Sequence, residues 1–275
     1  MEQNTREVNA QKKKRLVDLI ESFEEKGKNT FHRDEIRSEF VTERALTAAL
    51  DKLIKKRRIV SPFAKFYVIV PTQYRNLSAP PALWFLHDWM STNVVNYYVA
   101  LLSAASIHGA THHSVQETEV VVQKQLPNKV IGSSRVRFFY NKQAHLTPKQ
   151  KWPVPTGFVW VSTPAATVFE LILYMPKIGG PSLIATVLSE LCENLKAEDI
   201  MSALKAMQVK SSLLQRLGVI LEILELNDLA KEIFKIISAK KLRPVVLNVE
   251  RARFKNEFFD KKWKVYMNDK VEPDL

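Results

Sequence analysis

The hydrophobic positions near the start of the chain first follow a helical repeat and then a strand pattern. Apolar residues recur at helical spacing over residues 11–26 and four apart over residues 32–40, and a third helical stripe begins after Thr42. Thr42 is a favourable N-cap, and four consecutive basic residues end this helix, where positive charge complements the helix dipole. Residues 65–70 are rich in strand formers. Three short helices followed by a two-stranded ribbon indicate a winged helix-turn-helix.

The remaining pattern mixes helices and strands and ends in a helical block. The prediction is an α+β protein, with an N-terminal winged helix-turn-helix over residues 1–75 and a larger mixed α+β C-terminal domain over residues 76–275. The proline-rich stretch at 78–81 is predicted to link them. The predicted helices lie at 82–90, 97–108, from Pro164 (capped by Thr163) to 173, 183–195, 197–207 and twice within 211–238, and the predicted strands at 119–122, 136–140, 158–161 and 263–266.

Charge narrows the class of partner. The 275 residues carry a formal net charge of +12, with 46% hydrophobic and 25% charged residues. Such a surplus attracts polyanions, because each neutralised phosphate releases condensed counterions. Double-stranded DNA is therefore the leading partner, although charge alone leaves an anionic membrane surface or a ribosomal site open.

Cysteine content and hydropathy favour a reducing compartment. Cys192 is the single cysteine, so an intramolecular disulfide and a cysteine-based zinc site are both excluded. The N-terminal residues are polar and lack a signal-peptide core, and no apolar stretch reaches the length of about 20 residues that a membrane helix needs. We expect a soluble, cytoplasmic protein.

The helix that begins after Thr42 is the predicted recognition helix. Recognition helices lie in the major groove, and their exposed side meets base edges. With Leu46 and Leu50 in the core, Arg44 on the opposite side suits bidentate contact with guanine, while Glu43 can accept from cytosine. The predicted base-reading residues are Thr42, Glu43, Arg44, Thr47, Ala48 and Asp51, and the predicted phosphate-binding residues are Lys52, Lys55, Lys56, Arg57, Arg58 and Lys65.

Other interpretations of these charges and polar residues are open or disfavoured. The basic run could be a solvated helix face, which is the usual role of a single lysine. His108, His112 and His113 are close in sequence but lack an acidic partner for a metal, so structural roles are favoured. Cys192 lies on an apolar helical face, which favours a buried, inert thiol. No glycine-rich loop precedes a Lys-Ser or Lys-Thr pair, so we predict no nucleotide, metal or other cofactor.

Several segments of the C-terminal part match one known family. The most specific segment is YYVALLSAASIHGA at 97–110, supported by VSTPAAT at 161–167. The match extends to the valines at 120–122, Leu191, LQRLG at 214–218 and WKVYMNDKVEPDL at 263–275. With these segments, the C-terminal part resembles the AbiEi-type antitoxins of type IV toxin–antitoxin and phage abortive-infection systems.

The resemblance implies a non-enzymatic, two-part repressor. Its winged helix would bind inverted repeats upstream of its own operon, and its C-terminal domain would be needed for antitoxicity. The implied functional partner is a nucleotidyltransferase-like toxin, countered without a stable complex. The family supplies no catalytic residues. The predicted DNA contacts at residues 42–52 rest on structural reasoning and not on the resemblance.

Three rival functions remain after the sequence analysis. A metal-dependent nuclease would use clustered carboxylates; Glu117 and Glu119 lie on one side of a strand, but Val122 stands where the pattern needs an acidic or amide residue before Lys124. Direct inhibition of a partner protein and a plain transcription factor without a toxin are the others. The basic C-terminal tail could contact phosphates or be solvated surface; its residues are Lys240, Lys241, Arg243, Arg251, Arg253, Lys255, Lys261, Lys262 and Lys264.

Overall fold

The computed structural model describes residues 15–93, 95–110, 116–254 and 257–274. The described chain has mixed α+β content with several sheets, which confirms the predicted fold class. It forms two compact units. The first holds the described residues up to 93 with 128–136 and 153–158, and the second holds 95–110, 116–127, 137–152 and the described residues from 159 onward.

The N-terminal elements have the predicted order of a winged helix-turn-helix, with one added strand. Their three strands form an antiparallel sheet in the order β1-β3-β2. In chain order the elements are α1 (Leu16–Glu25), β1 (Thr30–His32), a 3-10 helix (Arg33–Glu39), α2 (Glu43–Lys55), β2 (Ile59–Phe63) and β3 (Phe66–Ile69).

One apolar core explains why these short elements hold together. The buried stripe of α1 and that of α2 meet the inner face of the small sheet. Neither helix is long enough to be stable alone, so burial of these stripes supplies most of their stability. The core side chains are Leu16, Leu19, Ile20, Phe31, Ile36, Leu46, Leu50, Leu53, Ile59, Tyr67 and Ile69.

The predicted second helix is shorter and tighter than the pattern indicated. Residues 33–39 form a 3-10 helix, and Thr30–His32, which precedes it, is a strand paired with β3. A capping box fixes the start of the 3-10 helix, because the backbone N–H of His32 donates to Glu35 Oε1 at 2.7 Å. Only Ile36 of this segment is buried. The predicted third helix is therefore α2.

After β3 the first unit continues in short helical elements. Two 3-10 helices at Thr72–Leu77 and Ala82–Trp84 lead into α3 (Leu86–Thr92). Ala79, within the predicted linker, is buried. The domain boundary at residues 75 and 76 stays a prediction, because compactness alone does not show which segments fold independently.

Six strands form the larger sheet: β4 (Tyr97–Val99), β5 (Thr118–Val122), β6 (Lys129–Ile131), β7 (Ser134–Tyr140), β8 (Lys149–Val154) and β9 (Gly157–Ser162). Their order in the sheet is β6-β7-β5-β4-β9-β8. The inner strand β4 pairs antiparallel with β5, where Tyr98 is opposite Val121, and parallel with β9, where Val99 is opposite Val161. The predicted strands at 119–122, 136–140 and 158–161 are confirmed, whereas β6 and β8 were missed.

The prediction of one buried helix over residues 97–108 was wrong. Tyr97–Val99 is the strand β4, and only Leu101–Ile107 is helical, as α4. Aromatic and β-branched residues favour a strand, and a short run that is buried on all sides shows no periodicity that separates strand from helix. The chain turns sharply between the two elements at Leu101, whose φ is 56°.

The predicted helical block is confirmed. α5 (Pro164–Tyr174) starts at its predicted cap, because Thr163 Oγ1 accepts from the backbone N–H of Ala166 at 3.3 Å. Every residue of α5 from Ala165 to Ile172 is buried, so this helix is the centre of the second unit. The other helices are α6 (Gly180–Cys192), α7 (Ala197–Met207), α8 (Ser211–Ile223) and α9 (Asn227–Ser238).

Residues of the LQRLG motif, Gln215 and Gly218 among them, fasten the C-terminal segment to α8. Gln215 is buried, and its side-chain amide donates to the backbone oxygens of Trp263 at 2.7 Å and Arg243 at 3.0 Å. Gly218 faces the indole of Trp263. Three short strands complete the segment: β10 (Val245–Val246), β11 (Phe259–Asp260) and β12 (Val265–Tyr266). None of the helices in the described ranges is long and apolar enough to cross a membrane.

Candidate nucleic-acid interface

One side of α2 is polar and open to solvent. Thr42 caps the helix, since its Oγ1 accepts from the backbone N–H of Ala45 at 3.2 Å. The buried side of the helix carries Leu46, Leu50 and Leu53, while Ala45 is exposed although an apolar side chain at its position would suit the helical stripe. We call the exposed side the α2 face; it consists of Thr42, Glu43, Arg44, Thr47, Ala48, Asp51 and Lys52.

Glu43 on the α2 face is held by two arginines of the preceding 3-10 helix. Its carboxylate accepts from Arg33 Nη2 at 2.7 Å and also forms an ion pair with Arg37. The hydrogen bond from Arg33 lowers the pKa of the Glu43 carboxyl, and the same bond raises the pKa of Arg33. Each carboxylate oxygen of Glu43 accepts from one arginine and keeps a second lone pair, so the predicted contact with cytosine would share the carboxylate with these ion pairs.

Thr47 completes the same cluster. Its hydroxyl donates to the backbone oxygen of Glu43 at 2.9 Å and accepts from Arg33 Nη2 at 2.7 Å. Both functions of the hydroxyl are therefore occupied, and its methyl group remains for an apolar contact. Arg33 and Arg37 were not predicted from the sequence, because both precede α2 in the chain and reach the α2 face only through the fold.

The cations along the rest of α2 and just after it carry no counter-charge within the described parts of the chain. Arg44, Lys52, Lys55, Lys56 and Arg57 are all exposed, and none forms an ion pair with a described residue. A cation that is solvated and unpaired can exchange its water and counterions for a phosphate at little cost. These five side chains form an exposed basic cluster that has no ion-pair partner among the described residues.

Two predicted phosphate-binding residues have different surroundings. Arg58 is half-buried, and its Nη2 lies 3.3 Å from Glu21 Oε1 of α1. Lys65, in the tight turn between β2 and β3, is exposed, and its Nζ lies 3.9 Å from Asp34 Oδ1. Arg58 thus fastens α1 to the end of α2, whereas Lys65 remains accessible. Contacts of all the predicted site residues with DNA stay predictions.

The residues considered for metal or nuclease chemistry have structural partners. His108 Nε2 lies 2.8 Å from the backbone oxygen of Ser162, and burial lowers the His108 pKa. Glu119 is buried and accepts from the backbone N–H of Leu102 at 2.8 Å, so it holds the start of α4. His112 and His113 lie outside the described residues. Among the residues that the structure describes, no group of three His, Cys, Asp or Glu side chains could hold a metal ion.

Glu170 of α5 is a buried acid that the sequence analysis missed. Neither of its carboxyl oxygens forms a hydrogen bond of normal geometry, although the hydroxyls of Tyr98 and Ser162 lie nearby. Burial raises the pKa of Glu170 to about 7, and burial likewise raises that of Glu119 to about 7. Its position within an apolar helical run gave no sign of a buried acid. Cys192 is buried as expected, and burial raises the pKa of its thiol to about 12.

Part of the basic C-terminal tail is neutralised within the second unit. Arg251 pairs with Asp269 at 2.8 Å, Arg253 with Glu257, and Lys262 with Glu222. Lys255 lies outside the described residues. The tail therefore offers fewer free cations than its sequence indicates, and the end of α2 is the denser unpaired cluster.

Comparison with known proteins agrees with this architecture. The fold is α+β with a helix-turn region at the N-terminus, and it is similar to the crystal structure of the RV2827C protein from Mycobacterium tuberculosis. The TM-score is 0.66 at 12% identity, covering 94% of this chain and 90% of that chain. A second structure, an antigenic nucleotidyltransferase-like protein from Paracoccidioides brasiliensis, aligns with a TM-score of 0.36 at 12% identity, over 55% of this chain and 90% of that chain.

The family model for the AbiEi antitoxin C-terminal domain matches residues 98–223. The resemblance to AbiEi-type antitoxins is thereby confirmed over that part of the chain, and it supports a role in a toxin–antitoxin or abortive-infection system. No curated protein matches the chain.

Proposed function

We propose that the protein is a DNA-binding autorepressor and the antitoxin of a type IV toxin–antitoxin system. The observation that carries the DNA-binding part is the α2 face with the unpaired cations at its end, on a helix whose other side is packed in the core. A net charge of +12 adds a long-range attraction for nucleic acid. The antitoxin part is supported by the family match at residues 98–223.

In this proposal, α2 enters the major groove of an operator upstream of the protein's own operon. Arg44 reads a guanine edge, because it is exposed and unpaired near the start of the helix. Lys52, Lys55, Lys56 and Arg57 contact phosphates and fix the register. Arg33 and Arg37 stand beside the α2 face, where Glu43 neutralises part of their charge. Nothing in this scheme requires a metal or a nucleotide.

The second functional partner in this proposal is a nucleotidyltransferase-like toxin that is countered without a stable complex. An antitoxin implies a toxin, and the resemblance supplies this type of toxin and this mode of action. A nucleotidyltransferase reading frame next to the gene would support it. Co-purification of the two proteins as a stable complex would instead favour direct inhibition.

The decisive experiment is a gel shift on the region upstream of the operon with the double variant Arg44→Ala and Lys52→Ala. We expect specific affinity to fall by about tenfold or more, since a bidentate base contact is worth roughly 1–3 kcal/mol. Both side chains are exposed, so the circular dichroism spectrum and melting temperature should not change. The logarithm of the native binding constant should also fall linearly with the logarithm of the salt concentration.

The matched control removes two positive charges elsewhere. Lys205→Ala with Lys231→Ala changes exposed lysines of α7 and α9, and it should leave operator affinity nearly unchanged. Equal loss in both double variants would mean that only net charge matters, and α2 would not be the recognition helix. Incubation of plasmid with Mg²⁺ or Mn²⁺ tests the nuclease alternative in the same preparation, because a repressor leaves the DNA uncut.

A further inference from the structure

The second unit contains a half-open cavity of about 270 Å³ between α5, α7 and the start of α8. Its volume lies just below the usual range of small-molecule sites, which is about 300–1,000 Å³. Phe169, Met207 and Leu213 supply apolar wall, and most of the other lining side chains carry amide or hydroxyl groups. An apolar wall with a few polar groups is the usual composition of a ligand site.

The charges that line this cavity are all positive. Arg216 and Lys210 are among its lining residues, and no aspartate or glutamate is found among the described residues that line it. Arg216 is the more informative of the two, because it is half-buried and burial lowers its pKa. Its Nε donates to the backbone oxygen of Val246 at 2.8 Å, and no described carboxylate pairs with it.

A partly desolvated guanidinium without a counter-charge is costly for the protein, and such groups are usually paired. An anion in the cavity would supply the missing charge and accept from the remaining guanidinium N–H groups. The first turn of α8 also borders the cavity, and the positive end of its helix dipole adds to the preference for an anion.

We propose that this cavity binds a small organic anion, with one phosphate or carboxylate group on Arg216 and a compact apolar body against Phe169, Met207 and Leu213. The ligand is small because the cavity admits only a compact ring or a short chain beside the anionic group. The site lies within the second unit and does not depend on whether the protein binds DNA.

Binding is tested with phenyl phosphate, inorganic phosphate and neutral benzamide by calorimetry and thermal shift on the full chain. Phenyl phosphate should bind most tightly and raise the melting temperature, because it supplies both the charge and the apolar body. Arg216→Gln should weaken its binding by about tenfold, as expected for a lost charged hydrogen bond. The control Arg243→Gln removes the same charge from an exposed residue outside the cavity and should have no effect.

A second variant keeps every charge and fills the space instead. Leu173 lines the cavity and is 51% exposed, so Leu173→Trp should fold and should abolish phenyl phosphate binding. Four results would overturn the proposal: no binding of any probe at millimolar concentration, equal binding of benzamide and phenyl phosphate, or unchanged phenyl phosphate binding in either the Arg216→Gln or the Leu173→Trp variant.

Discussion

At the scale of single residues, the core of the second unit contains two buried carboxyl groups whose ionisation lowers the free energy of unfolding. Glu170 and Glu119 are both buried, and burial raises the pKa of each to about 7. Between the unfolded value near 4.5 and the folded value near 7, the folded state binds more protons than the unfolded state. The free energy of unfolding therefore falls as pH rises through this window and stays low above it.

Replacement of Glu170 by Gln should remove its share of this pH dependence. The amide resembles the protonated carboxyl, so the variant should be more stable than the native protein at pH 8 by up to about 3 kcal/mol. The gain should shrink towards pH 5, where the native carboxyl is also protonated. Urea unfolding at several pH values measures this, with Glu250→Gln on the exposed surface as the control. A variant that is less stable at pH 8 would show that Glu170 is needed as a carboxylate.

Gly218 illustrates a residue whose identity is fixed by close packing. A Cβ at this position would lie 2.1–2.3 Å from ring atoms of Trp263, which is fully buried. Gly218→Ala should gain about 1 kcal/mol of helix propensity but lose more to overpacking, which costs about 1–3 kcal/mol or more. We expect a lower urea midpoint for the variant. The cost should largely vanish in the background Trp263→Leu, and equal costs in both backgrounds would contradict the proposed clash.

At the scale of elements, the sequence predicted what is periodic and missed what depends on the fold. α2, α5 and α7 begin where caps and stripes indicated, because their signals are local. β1 is three residues long and exists only through its pairing with β3. The prediction of a helix at β4 was wrong because a strand that is buried on all sides lacks the alternation of apolar and polar residues that marks a strand.

The predicted DNA-binding residues likewise divide into features that follow from the helical repeat and features that depend on the fold. The exposed residues of α2 follow from its helical repeat, and all seven members of the α2 face are exposed as expected. The pairing of Glu43 with Arg33 and Arg37 depends on how the 3-10 helix packs beside α2, and no local pattern records that. The sequence thus predicted where the face lies but not which of its groups are already engaged.

The ion-paired cluster gives a prediction at the level of the helix pair. Glu43→Gln should release Arg33 and Arg37 and remove a negative charge from the α2 face, so affinity for a non-operator duplex should rise and depend more steeply on salt. Gel shifts on operator and non-operator DNA at several salt concentrations measure both effects. If Glu43 reads a cytosine instead, the variant would lose operator affinity while its non-operator affinity stays the same.

At the scale of the whole molecule, the unpaired basic cluster and the antitoxin family match lie on different parts of the chain. The unpaired basic cluster lies at residues 44–57, whereas the family match covers residues 98–223. If DNA binding and antitoxicity are carried by these separate parts, a change in one need not disable the other. The proposed function can then be divided experimentally without truncating the chain.

The variant Arg44→Ala with Lys52→Ala should accordingly separate repression from antitoxicity. Expressed from an unrelated promoter, it should still protect cells against the toxin encoded beside it, while a reporter fused to the native promoter should lose repression. Because both side chains are exposed, protein levels should stay close to native and can be checked by immunoblot. Loss of protection at a normal protein level would mean that antitoxicity requires DNA binding, so that a type IV antitoxin with separable activities would be the wrong description.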